Sequence, residues 1–190
     1  MDSIRIFGYK SFKKLSVQLH PINLLIGANG AGKSNFLSLF EMLGNIYEKR
    51  LGAYVAQVGG VDKLLYQGRK VTDRIAVSLL IAKSEYDLAL LESDGKLIVE
   101  REAIGCYDDV CPLDLVRKNV ITEYQSESSL KDHKEEDLSN YISQIRKFHF
   151  HDTGRRSPFT ADSHIVNDAY RMYEHGENLA AILYRIQREK

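Results

Sequence analysis

Gly27, Gly32, Lys33 and Ser34 set the spacing G-x-x-x-x-G-K-S, and Gly30 adds a third glycine inside it. Ala28, Asn29 and Ala31 fill the loop, and Asn35 follows it. Each residue type suits a phosphate. Glycines let a chain turn tightly and bring N–H groups against phosphate oxygens with no Cβ between. Lys33 supplies a mobile cation that reaches the β- and γ-phosphates, and Ser34 supplies a hydroxyl oxygen for Mg²⁺. The pattern is that of a phosphate-binding P-loop, with ATP and Mg²⁺ as the expected ligands and Ser34 as the metal's protein oxygen. Four fixed positions coincide by chance at roughly one site in tens of thousands, which weighs against a glycine turn with no ligand.

Positioning such a loop takes a strand before it and a helix after it. Asn23 to Ile26 is a short apolar run and reads as a buried central strand. Phe36, Leu39, Phe40, Leu43 and Ile46 fall at i, i+3, i+4, i+7 and i+10, one apolar helical stripe. Gly52 is the expected stop. The helix turns its positive end toward the anion.

Ahead of the loop, Ile4 and Ile6 alternate, as do Leu15, Val17 and Leu19, so two strands joined by the basic turn at 10–14 read as a hairpin. Beyond the helix, a helical turn fits 62–66. Ile75, Val77, Leu79 and Ile81 mark a strand. Segments 86–91 and 96–101 flank Asp94-Gly95, a hairpin turn signal. Residues 106–120 give no clear pattern. Residues 122–137 are polar and read as an exposed loop or the start of a solvated helix. Leu138, Tyr141, Ile142 and Ile145 space as a helix, 147–151 (KFHFH) alternate as a short strand, and 165–190 read as helices broken near Gly176, with Asn178 as N-cap.

The 190 residues suffice for one domain with a sizeable core. Lys+Arg and Asp+Glu both number 26, so there is no overall electrostatic footprint for nucleic acid. Cys106 and Cys111 could form a disulfide or half a metal site, but with no second pair they read as reduced thiols. The start of the chain has no apolar leader core, and no apolar run reaches the length of a membrane span. The expectation is a cytoplasmic protein with no membrane partner.

The order strand, K-S-F turn, strand, strand and I-G-x-N-G-x-G-K-S resembles the N-terminal lobe of ABC-type ATPases of the SMC/RecF group, and Asn29 and Asn35-Phe36-Leu37 are typical of it. The segments VGGVDKLLYQGRK, FHFHDTG and ENLAAILYRI resemble a bacterial set of ATPases related to OLD-type and antiphage-defence proteins. The resemblance implies an α/β P-loop NTPase lobe over 1–190, with a mixed core sheet, an antiparallel strand layer and added helices. It also implies a second ATPase head, two heads sandwiching two ATP molecules, and a DNA or effector-protein partner.

The group's other catalytic parts are not evident. Residues 89–94 (ALLESD) come nearest to an acidic strand end but run into a turn with one acid where two are wanted. No signature serine-glycine segment is present. The expectation is therefore part of a longer ATPase, inactive by itself because metal and water are incompletely held. By position, His151 or Asp152 would be the equivalent of the loop that reaches Mg²⁺ and the attacking water. The plain alternative is a surface strand, and His149 with His151 lack a third metal ligand. Tyr9 to Phe12 lie where some relatives contact adenine or phosphates. Arg69-Lys70 and Arg155-Arg156 read as a solvated face, with nucleotide, nucleic acid or a partner head as the alternatives. Two other readings stand beside the ATPase: a non-catalytic ATP-binding module, and a P-loop small-molecule kinase.

Overall fold

A computed structural model describes residues 1–106, 117–133, 136–148 and 170–189. It divides into two compact units, 1–145 and 146–190. The first holds an antiparallel sheet of β1 (Ser3–Tyr9), β2 (Phe12–Gln18), β3 (Arg74–Ile81), β4 (Ser84–Ser93), β5 (Lys96–Cys106) and β6 (Arg117–Gln125), in the order β2-β1-β3-β4-β5-β6. Helices α1 (Lys33–Tyr47), α2 (Leu51–Gln57) and α3 (Glu136–Ser143) complete it.

The sheet's inner face follows from period-two alternation. Ile4 and Ile6, Ile75, Val77, Leu79 and Ile81, and Tyr86, Leu88 and Leu90 are all buried. Helix α1 lays Phe36, Leu39, Leu43 and Ile46 into the same cluster, and Met42 joins them. Phe40 stays at the rim, its ring edge-on to Phe36 at 5.4 Å. The β4–β5 hairpin turns through Asp94 and Gly95, both at positive φ, as its sequence signals. Beyond a register shift at Glu102/Ala103, Glu102 lies fully buried. Its carboxylate accepts from Tyr86 Oη (2.5 Å), Ser128 Oγ (2.6 Å) and Ser129 N (3.0 Å). These bonds tie the segment after β6 to the sheet.

Several expectations are corrected. Asn23 to Ile26 form no strand, and Ile22, Leu24 and Ile26 are 90, 81 and 84% exposed. A strand needs a neighbour for its N–H and C=O groups, and none of the six strands lies beside this one. The sheet is accordingly antiparallel, and no mixed core sheet forms among the described residues. Gly52 does not stop α1. That helix ends at Tyr47, Lys49 adopts φ 56, and Gly52 sits in the first turn of α2. The polar stretch from 122 begins inside β6, an edge strand whose solvent face hides the alternation.

In the second unit, α4 (Leu179–Arg188) matches the expected terminal helix. Asn178 stands at its N-cap, but its side chain bonds backwards, donating to Arg171 O and accepting from Tyr173 N. Residues 170–173 are not helical, and 147–148 are not a strand. The remainder of those two segments lies outside the described residues. Among the described residues, no helix is long and apolar enough to cross a membrane.

Candidate functional site

The loop from Gly27 leads directly into α1. Gly30 and Gly32 take φ of 82° and 93°, the left-handed region that costs an L-residue with a Cβ about 1–2 kcal/mol. Ala31 N donates to Ala28 O at 3.2 Å, and Phe36 N to Gly32 O at 2.9 Å, so the turn passes into the helix without a break. The amino end of α1 has no side-chain cap and no acidic residue in its first turn. Its leading N–H groups and positive dipole end therefore favour an anion. Lys33 curls back over the loop and its Nζ donates to Gly27 O and Ala28 O, both at 2.7 Å. An ammonium held by two carbonyls can exchange them for phosphate oxygens. Ser34 is exposed beside it. The donor set fits a triphosphate: uncapped N–H groups, a cation and a hydroxyl. The Ser34 hydroxyl would offer one oxygen to a divalent cation bound with the phosphates.

The β1–β2 turn supports the loop from behind. A Cβ on Gly32 would lie 3.0 Å from Ser11 Oγ and 3.3 Å from the Phe12 ring. That tight contact and the positive φ explain why glycine stands there. Asn35 Nδ2 donates to Ser11 Oγ at 2.9 Å. One turn further on, Ser38 Oγ meets Lys10 Nζ at 2.8 Å and Tyr9 Oη at 2.9 Å. The Tyr9 hydroxyl is pushed above its usual range by burial. With Tyr9 fully buried, the contact suggested for this turn narrows to its exposed neighbours.

A cavity of about 840 Å³ opens beside Asn35. Among the described residues, Lys10, Lys63, Arg69 and Lys70 line it, with Asp62 as the single carboxylate. Four cations against one carboxylate give it a positive lining in a chain of zero net charge. Asp62 closes the loop below it, accepting from Arg69 N at 2.9 Å and Arg69 Nε at 3.1 Å. The Arg69 backbone N–H, then the guanidinium charge, hold the Asp62 carboxyl below its usual value. Arg69 and Lys70 are exposed, as expected of a solvated face, and they also line this cavity. Their cavity position had no signature in spacing, because it depends on how 61–70 folds against the end of β1, where Lys10 N donates to Leu64 O and Tyr66 N to Gly8 O.

Gly27 through Asn35 are thus brought together with Ser11 and Lys10. His151 and Asp152, His149 and Arg155-Arg156 lie outside the described residues. The acidic run at 89–94 serves a turn instead, with Glu92 Oε1 accepting from Gly95 N at 2.8 Å. Among the described residues, no three His, Cys, Asp or Glu side chains cluster as metal ligands. Spacing alone did not reveal Ser38 or Asp62.

A family model described as an AAA ATPase domain matches residues 1–178. No curated protein matches the chain.

Proposed function

The chain belongs to the AAA ATPase domain family, and on that premise we propose that Gly27 to Asn35 form a Walker A loop holding the triphosphate of ATP. Lys33 neutralises the β- and γ-phosphates, and Ser34 shares Mg²⁺ with them. The observation that carries this reading is the Lys33 ammonium, fixed on Gly27 O and Ala28 O at the uncapped end of α1. Among the described residues, no side-chain cap and no acid of the first turn competes with an anion at that end, and the cation is already at the loop. Lys10, at the cavity beside Asn35, adds a second positive charge on the nucleotide's side.

Bound Mg²⁺ would draw charge from the phosphates during transfer. The residues of this chain bind, orient and neutralise. Among the described residues none is placed to hold the attacking water. ATP is therefore hydrolysed in an ABC-type, SMC/RecF-like assembly, in which a further lobe and a partner head complete the site, and its output goes to DNA maintenance or antiphage defence. The apolar run Ile22 to Ile26 supports completion, since its side chains stand in solvent directly before the loop. A run apolar on both faces belongs inside a sheet covered on both sides.

Steady-state phosphate release tests the division of labour. The 190 residues alone bind ATP and release no phosphate above background. Turnover by this chain alone, abolished by Lys33→Ala, would overturn the division.

A further inference from the structure

Ser38 lies on α1 one turn beyond Ser34, where three elements meet. A hydroxyl has one proton and two lone pairs, and Ser38 Oγ uses them all. It donates to Asn35 O at 2.8 Å. The Lys10 ammonium, which can only donate, takes one lone pair at 2.8 Å. Tyr9 Oη is at 2.9 Å and, with the serine proton committed to Asn35 O, is the donor to the other. The Ser38 carbonyl also accepts from Tyr54 Oη of α2 at 3.3 Å. Lys10 itself stands at φ 46, its Nζ 5.4 Å from the centre of the Tyr9 ring, and lines the cationic cavity together with Asn35.

We infer that Ser38 is a positioning residue of the nucleotide site: its hydroxyl fixes the Lys10 ammonium at the edge of the cavity, so that Lys10 acts as a second phosphate-directed cation beside Lys33. A lysine carries four side-chain torsions, and ordering it on binding costs affinity. The serine supplies that order in advance. The same hydroxyl also donates to the carbonyl of Asn35, so two residues that line the cavity, Lys10 of the β1–β2 turn and Asn35 of α1, share one anchor. The inference rests on the reading of Gly27 to Asn35 as a triphosphate site.

Equilibrium titration with a fluorescent ATP analogue and Mg²⁺ tests it on the 190-residue chain and six variants. Lys33→Ala checks the triphosphate site itself. Lys10→Met is expected to weaken binding about tenfold, equivalent to about 1.4 kcal/mol. Ser38→Ala is expected to weaken it about three- to tenfold, with Ser38→Thr restoring most of the loss because the hydroxyl returns. The double variant Lys10→Met/Ser38→Ala binds no more weakly than Lys10→Met, since a positioning group has nothing left to position. Tyr9→Phe removes the other bond to the same hydroxyl and lowers thermal stability, yet leaves ATP affinity unchanged. A purely structural role for Ser38 would instead make Tyr9→Phe and Ser38→Ala lose affinity in parallel with their melting temperatures, and would overturn the inference. So would Ser38→Ala binding as tightly as the parent, or losses in the double variant that multiply. If Lys33→Ala loses ATP while Ser38→Ala does not, only the positioning role falls. If the parent chain binds no ATP, both readings fall.

Discussion

Gly8→Ala is expected to be among the most damaging single-methyl additions to this chain. Gly8 sits near the end of β1 at φ 73, and a Cβ there would lie 2.1 Å from Arg74 O and 3.0 Å from Thr72 Cγ2. Two costs combine. The left-handed backbone costs about 1 kcal/mol for alanine. The clash is with backbone oxygen rather than a flexible side chain, so β1 and the start of β3 must part by about 1 Å, an overpacking cost of about 2–3 kcal/mol. Gly95 isolates the first term. It has nearly the same φ, 76°, and its added Cβ would meet only the far end of Arg69 at 3.8 Å. Gly95→Ala therefore costs about 1 kcal/mol and Gly8→Ala about 3–4 kcal/mol. At about 2–4 °C per kcal/mol for a chain of this size, the melting points separate by about 4–12 °C. Urea denaturation of both variants gives the comparison. Equal losses would refute the assignment of the larger cost to Arg74 O. Because Tyr9 and Lys10 follow Gly8 directly, the same variant also loosens the β1–β2 turn that backs the phosphate loop.

Tyr86→Phe removes a donor from the buried Glu102 carboxylate and lowers stability by about 1.5–3 kcal/mol in denaturant titration. Burial raises the hydroxyl pKa values of Tyr9, Tyr54 and Tyr86 above the ordinary value of 10.0. The folded chain keeps these protons while the unfolded chain loses them, so stability is full below pH 10 and falls above it by up to about 1.4 kcal/mol per unit for each tyrosine. In denaturation measured between pH 9 and 11, Tyr9→Phe makes that slope shallower. Replacing Leu24 and Ile26 by serine, at 81 and 84% exposure, changes stability by less than about 0.5 kcal/mol. The same exchange prevents ATPase turnover in the completed assembly, read as phosphate release.

Local patterns were legible wherever one residue type forces one conformation. The two glycines of the loop, the Asp94-Gly95 turn, the α1 stripe and the alternation of β3 all appear as their spacing demands. The segment Asn23 to Ile26 was not legible, because an apolar run shows only that a strand could be buried, and its burial depends on a neighbour that the six-stranded sheet does not provide. Strand β6 escaped notice for the converse reason: Val120 and Tyr124 face solvent, and Thr122 rather than an aliphatic residue fills the buried position. The glycine loop at the start of α1 was readable because its residues are contiguous in sequence. The cationic cavity and the Ser38 anchor were not, since Lys10, Ser38 and Arg69 come together only when β1, α1 and the 61–70 segment have folded.

The account stands on the claim that Gly27 to Asn35 hold the triphosphate of ATP, with Lys33 as their mobile cation. Calorimetric titration of Mg²⁺–ATP into the chain and into Lys33→Ala tests it directly. The account predicts saturable one-to-one binding that weakens at least tenfold in Lys33→Ala and is barely present for adenosine. Equal affinities for ATP in the two proteins, or equal affinities for ATP and adenosine, would contradict it.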